Sequence, residues 1–138
     1  MEEIIMAHAG DNYTKDLKPS HLGWGDTRYT GSRPIIHGEA YIPIPKRFAE
    51  AYSVFNSNHS PQGLGNNIFV ASSKDGFLQN VELLAQGCSE AGDPYAKQFS
   101  VRGDLKTIGA WYQHRNAQVG TIVSVEWISP TEIVLDLL

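Results

Sequence analysis

Apolar and polar positions alternate most regularly near the C-terminal end of the chain. Ile133, Leu135 and Leu137 fall on one side, and Glu132, Val134 and Asp136 on the other. That is the two-residue period of a half-buried strand. Residues 121–128 read as its partner, joined to residues 132–138 through Ser129-Pro130-Thr131. Before them, Leu105, Ile108, Trp111 and Tyr112 recur at helical spacing. They predict a helix capped by Asp104 that runs to about residue 115. Gly109 inside it costs ~1 kcal/mol relative to alanine, and close packing against a neighbour would explain its presence.

The earlier pattern is less regular. Residues 3–8 predict a first short strand, followed by a long polar loop over residues 10–37. Residues 38–44 predict a second strand, short or at an edge, because Pro43 cannot donate to a ladder. A helix is expected from Pro45, a favourable first helical residue, to about residue 53, with Phe48, Ala51, Tyr52 and Phe55 as its apolar stripe. Residues 68–72 and 77–85 read as two strands. Ser73-Lys74-Asp75-Gly76 joins them, and Asp-Gly is a strong hairpin signal. A second polar loop covers residues 86–95, and residues 96–101 predict one more strand.

Seven short strands and two short helices, without a regular strand–helix–strand alternation, predict a mostly β fold. The expected form is a single-domain barrel or sandwich with helices plugging its ends. The stretch 20–47, SHLGWGDTRYTGSRPIIHGEAYIPIPKR, organises this layout. Its loop is too long and too rich in donors to be a mere connection, and it reads as a recognition arm.

Composition narrows the class. A chain of 138 residues suits one domain with a sizeable core. The lone Cys88 excludes an internal disulfide and fits a reducing, cytoplasmic setting. No run is long and apolar enough to suggest a signal peptide or a membrane span. The net charge of −4 argues against a nucleic-acid partner, but its distribution does not. Residues 15–47 and 97–115 each carry +3, and the three segments around them are acidic. Ten of the eleven Lys and Arg residues lie in those two windows. If the windows converge in space they form a positive face, the electrostatic footprint of a nucleic-acid binder.

Enzyme signatures are absent from the sequence. No two of the five histidines stand at an i, i+4 metal spacing, and Cys88 has no CxxC partner. No phosphate-loop, dinucleotide-binding or nucleophile-elbow motif is present. Glu82, Glu90 and Asp93 fall in one region but read as solvated charge, and His114-Arg115 reads as a surface pair at a helix end, where cations are favoured. No metal or cofactor is expected.

The two polar loops carry richer chemistry. Lys18, Ser20, His21, Arg28 and Arg33 are the donor types that read base edges and clamp phosphates. Trp24 and Tyr29 suit stacking on bases or sugars, and equally suit pinning the loop against the barrel. After the second loop, alternation places Gln98, Ser100 and Arg102 on one face, outward, and Phe99 and Val101 toward the core. Lys46 and Lys97 add phosphate-binding charge.

The run Leu22-Gly23-Trp24-Gly25 … Gly38-Glu39-Ala40-Tyr41-Ile42-Pro43-Ile44-Pro45 resembles the C-terminal DNA-recognition domain of type II restriction enzymes that carry a phospholipase-D-type nuclease. The later run Ile108-Gly109-Ala110-Trp111-Tyr112-Gln113-His114-Arg115, with Val119-Gly120 after it, is similar to that family's second helix. Ile108 replaces its leucine and Trp111 takes its tyrosine position. The resemblance spans roughly residues 20–138. It implies a seven-stranded open pseudobarrel of B3 type that grips the DNA major groove with two arms, here residues 10–37 and about 87–98. Both positive windows overlap these arms. The second arm departs from the pattern in carrying Glu90 and Asp93 and no arginine.

These observations predict sequence-specific binding of double-stranded DNA without catalysis. The chain would be a stand-alone reader or the recognition domain of a restriction endonuclease, with a nuclease domain or subunit as a further partner. Two alternatives stand beside this: a small metal-dependent nuclease, and a protein- or sugar-binding β-module built on Trp24 and Tyr29.

Overall fold

The computed structural model describes residues 6–22, 39–87 and 93–138. Its elements in chain order are β1 (Asn12–Asp16), α1 (Pro19–Leu22), β2 (Ile42–Pro43), α2 (Lys46–Ala51), β3 (Ile68–Ser73), β4 (Val81–Gln86), β5 (Gln98–Val101), α3 (Thr107–His114), β6 (Ile122–Ser129) and β7 (Glu132–Leu137). The fold is mostly β, as expected, with seven strands in one mixed sheet.

The sheet order is β1-β6-β7-β3-β4-β5-β2. Only β3 and β7 run parallel, with Val70 opposite Glu132. Every other neighbouring pair is antiparallel. The sheet stays open, and its two edges, β1 and β2, approach across a seam. There the Tyr13 hydroxyl donates to the Pro43 carbonyl at 2.8 Å. Pro43 has no N–H to offer a ladder, so a side chain makes the link.

The two main helices plug opposite ends, as predicted. At one end Phe48 of α2 stacks on Tyr13, with ring centroids 5.2 Å apart, and Tyr52 just beyond α2 donates to the Asn12 carbonyl at 2.8 Å. At the other end Trp111 of α3 donates through Nε1 to Asp75 at 2.9 Å, and the Tyr112 hydroxyl donates to the Tyr41 carbonyl at 2.6 Å. The core between them contains Phe69, Phe99, Ile108, Trp111, Trp127, Ile133 and Leu135, all fully or nearly fully buried. The Glu39-to-Ile44 run is buried throughout. The EAYIPIP segment is therefore core wall rather than recognition surface.

Several boundaries differ from the expectations. The first strand is β1, inside the expected polar loop. Residues 6–8 are not a strand, and residues 3–5 lie outside the described residues. The first strand shows the core little beyond Tyr13, because the seam leaves its other residues part-exposed. Three helices are described rather than two, since α1 forms a single turn behind Pro19. Pro45 is the N-cap of α2 rather than its first residue, and Ala49, not Ala51, is the buried alanine.

The Asp-Gly signal gives a turn but not a tight hairpin. Residues 74–80 separate β3 from β4, because Leu78 is buried and its N–H donates to the Ser73 hydroxyl at 2.9 Å. Asp104 does not cap α3 directly. Its carboxylate accepts the Lys106 N–H at 3.0 Å, and Lys106 holds the N-cap position.

Candidate nucleic-acid interface

The strand registers decide where the two long connections emerge. Asp16, Ile122, Leu137, Ser73, Val81 and Val101 all lie toward one end of the sheet. The first connection leaves β1 at that end and returns to β2 at Ile42, opposite Phe99. Gln86, Gln98 and Pro43 lie toward the opposite end, with Asn12 and Ser129. The second connection, between β4 and β5, begins and ends at that end. The two connections therefore flank the seam from opposite ends. The seam is roughly as long as β1, about 13–17 Å at ~3.3 Å per residue.

The roots of the first connection meet each other. Leu17 N–H donates to the Thr121 carbonyl at 2.8 Å, and Gly120, at φ +94°, returns an N–H to the Leu17 carbonyl at 2.9 Å. Across from them, Tyr41 N–H donates to the His21 carbonyl at 3.1 Å. The Tyr41 hydroxyl bonds the Glu39 carboxylate, and both residues are buried. His21 accepts the Lys18 N–H through Nδ1 at 3.0 Å, which braces α1 from its start. Burial lowers the pKa of His21 below the ordinary histidine value, and nearby Lys15 and Lys18 lower it further.

The roots of the second connection converge on Asn56, which is fully buried. Its Oδ1 accepts the Gly87 N–H at 2.9 Å, and its Nδ2 donates to the Asp93 carbonyl at 3.2 Å. Phe55 stacks on Tyr95 below this point, with centroids 5.6 Å apart. Sequence reading missed Asn56 because it sits in a turn-rich run, NSNHSPQGLGN, where asparagine is ordinary.

The predicted site residues separate into four groups. Trp24, Arg28, Tyr29 and Arg33 lie outside the described residues. Lys18, Ser20 and His21 stand at the root of the first connection, with Lys18 exposed and the other two partly so. Lys46, Lys97 and Gln98 gather at the root of the second, held together by the Ile44 N–H donating to the Lys97 carbonyl at 2.9 Å. Ser100 departs from the expected outward face, whereas Arg102 keeps it. Ser100 is 1% exposed and its Oγ donates to Gln86 Oε1 at 3.2 Å. Both faces of β5 are covered here, since Phe99, Ser100 and Val101 are all buried. Arg102 is exposed but lies toward the other end of the sheet, 2.9 Å from Glu82.

The basic windows meet only in part, and five of the eight lysines and arginines described in them lie within ion-pair distance of a carboxylate. Lys15 and Lys18 both lie 3.1 Å from Asp16, Lys46 lies 3.8 Å from Asp93, and Arg115 lies 2.9 Å from Asp75 and 3.7 Å from Asp136. Hydrogen bonds from Lys15 and then Lys18 lower the Asp16 carboxyl to about 2. Lys97 has no carboxylate partner among the described residues. Also among the described residues, no three His, Cys, Asp or Glu side chains are placed to hold a metal ion, and no helix is long and apolar enough to cross a membrane.

No protein-family model matches the chain, and no curated protein matches it. Its fold is similar to the solved N-terminal domain of Helicobacter pylori LlaJI.R1. The TM-score is 0.50 at 12% sequence identity, with 93% of this chain and 87% of that chain covered. At that identity the likeness is one of fold.

Proposed function

We propose that this chain is a DNA-reading domain that binds double-stranded DNA sequence-specifically, with its two long connections as jaws in the major groove. The observation that carries this reading is the placement of those connections. They leave opposite ends of an open sheet, about 13–17 Å apart, a span that brackets a major groove ~12 Å wide. The arrangement fits a B3-like pseudobarrel. The name of the Helicobacter pylori neighbour is that of a restriction protein, which supports a restriction-related role. In this reading the domain is non-catalytic. It serves as the recognition part of a restriction endonuclease, alongside a nuclease domain or subunit, or acts as a reader by itself.

Lys18, Lys46 and Lys97 would contact phosphates at the two roots, and Gln98 would supply a base-edge donor and acceptor. Ser100 takes no part. The ion pairs around Lys18 and Lys46 set a condition on binding, since phosphate must displace Asp16 and Asp93 as their partners. Affinity then rests on a few contacts and falls with salt in proportion to their number.

The test is selection from a random duplex library at about physiological salt, followed by sequencing. Enrichment of one short motif is expected, with intact DNA after incubation with Mg²⁺. Absence of retention even at low salt would overturn the reading.

A further inference from the structure

We infer that Lys15 and Lys18 form a cradle for backbone phosphate, and that Asp16 is its built-in occupant, which phosphate must replace; this role rests on the DNA-reading function proposed above. Each lysine takes one oxygen of the same carboxylate. Lys15 Nζ lies 3.1 Å from Asp16 Oδ1, and Lys18 Nζ lies 3.1 Å from Oδ2. The carboxylate thus sits between two ammonium groups, as a phosphate with two free oxygens would. It is charged throughout the neutral range, because the bonds from Lys15 and Lys18 lower its carboxyl to about 2.

All three residues stand on fixed backbone. Asp16 ends β1 opposite Ile122, and the Leu17 N–H carries the ladder on to the Thr121 carbonyl at 2.8 Å. The Lys18 carbonyl accepts the His21 N–H at 2.9 Å, so the turn of α1 starts from it. The side chains are open to exchange of partners: Lys15 is 32% exposed, Asp16 44% and Lys18 57%. The second root is masked less. There Lys46 lies 3.8 Å from Asp93, which no second lysine shares among the described residues.

The consequence falls on overall affinity. A phosphate that enters the cradle gains two ammonium partners but leaves Asp16 unpaired beside it. That repulsion acts on every sequence alike, because phosphate contacts carry no base information. Asp16 therefore holds down binding to arbitrary DNA and leaves base contacts to make up the difference on a preferred motif. The protein also brings one positive charge fewer to the phosphates, which makes the salt slope shallower by about one.

The test uses the full chain and a duplex of scrambled sequence, titrated over a range of salt. Asp16→Asn keeps the size of the side chain and removes its charge. It should bind the duplex about three- to tenfold more tightly than the wild type, with a salt slope steeper by about one. Glu126→Gln is the matched control, since it changes the net charge equally. Glu126 is exposed on β6 opposite Asn12, roughly 13 Å along the ladder from Asp16. That is farther than the ~10 Å over which charge is felt at about 0.1 M salt, so affinity should stay within about twofold. Adding Lys15→Ala and Lys18→Ala to Asp16→Asn should remove the gain. If Asp16→Asn does not fold, Asp16→Ser takes its place. A folded Asp16 variant that binds no more tightly than Glu126→Gln would overturn the cradle alone, and so would a gain that survives the loss of both lysines. Failure of the wild type and the Asp16 variant to retain the duplex even at low salt would overturn the DNA-reading function and this role with it.

Discussion

Replacing Asp75 by asparagine should loosen the helix α3 from the sheet. The Asp75 carboxylate takes four donors. Its Oδ2 accepts from Trp111 Nε1 and Arg115 Nη1, both at 2.9 Å, and its Oδ1 accepts from the Phe77 N–H at 2.9 Å and the Ser73 hydroxyl. An asparagine amide can present oxygen to only one of these sides, so one pair of donors faces an NH₂ group. If the pair is Trp111 and Arg115, a fully buried indole N–H loses its partner. That term is worth about 1–3 kcal/mol. Arg115 lies in solvent, so its share is screened and the indole term sets the size. The expected loss is thus about 1–3 kcal/mol, or a Tm lower by roughly 3–12 °C for a domain of this size.

Burial works against ionisation of Asp75, but the bonds from Ser73, Arg115, the Phe77 N–H and Trp111 overcome it and hold the carboxyl well below the usual range. A lowered folded pKa contributes stability that is complete above the unfolded value near ~3.9 and disappears as pH falls toward the folded value. Urea denaturation at pH 7 and at pH 3, read by circular dichroism, checks both statements. The gap between wild type and Asp75→Asn should be full at pH 7 and narrower at pH 3. A gap below about 0.5 kcal/mol at pH 7, or one equally wide at pH 3, would refute the reasoning.

Three further outcomes are expected. Tyr13→Phe removes the side-chain link across the seam and should cost about 1–2 kcal/mol in urea denaturation; no measurable change would mean that the seam is held by packing alone. Protonation of His21 withdraws the acceptor from the Lys18 N–H. Because its folded pKa is lowered, that support is complete above the ordinary histidine value near ~6.5 and is lost as pH falls through the folded value; Lys18 amide exchange, corrected for its intrinsic pH dependence, should quicken as pH drops from 7 to 5. Ser100→Ala, below the surface and bonded to Gln86, should leave DNA affinity within about twofold, and a larger loss would return Ser100 to the reading face.

The C-terminal half of the fold was legible because its side chains obey simple periods. In β7 every second residue is buried, and in α3 the stripe Ile108, Trp111 and Tyr112 is buried as its spacing implies. The edge β1 was not legible. NYTKD shows one core-facing aromatic, and its strand character comes from pairing with β6, a partner more than a hundred residues away. Ser100 was misread because alternation assigns faces only when one face is wet, and β5 is buried on both faces from Phe99 to Val101. Asn56 and Asp75 read as loop and turn residues. What sets them apart is burial and the number of donors and acceptors converging on them, neither of which is written in local spacing. The two long connections, by contrast, showed as polar runs at residues 10–37 and 86–95, although β1 lies inside the first.

The pairing of β1 with β6 also orders events in time. The strands β3, β4 and β5 form a local meander, and β6 and β7 a tight hairpin, so both can assemble early. The N-terminal strand has nothing to join until the hairpin exists, since Asn12 pairs with Glu126. Long-range closure of this kind is slow. Run backward, the same topology lets β1 peel away from an edge secured by one ladder. Its departure takes the start of the first long connection with it and leaves the remaining six strands paired. One end of that connection can therefore come loose while most of the sheet persists.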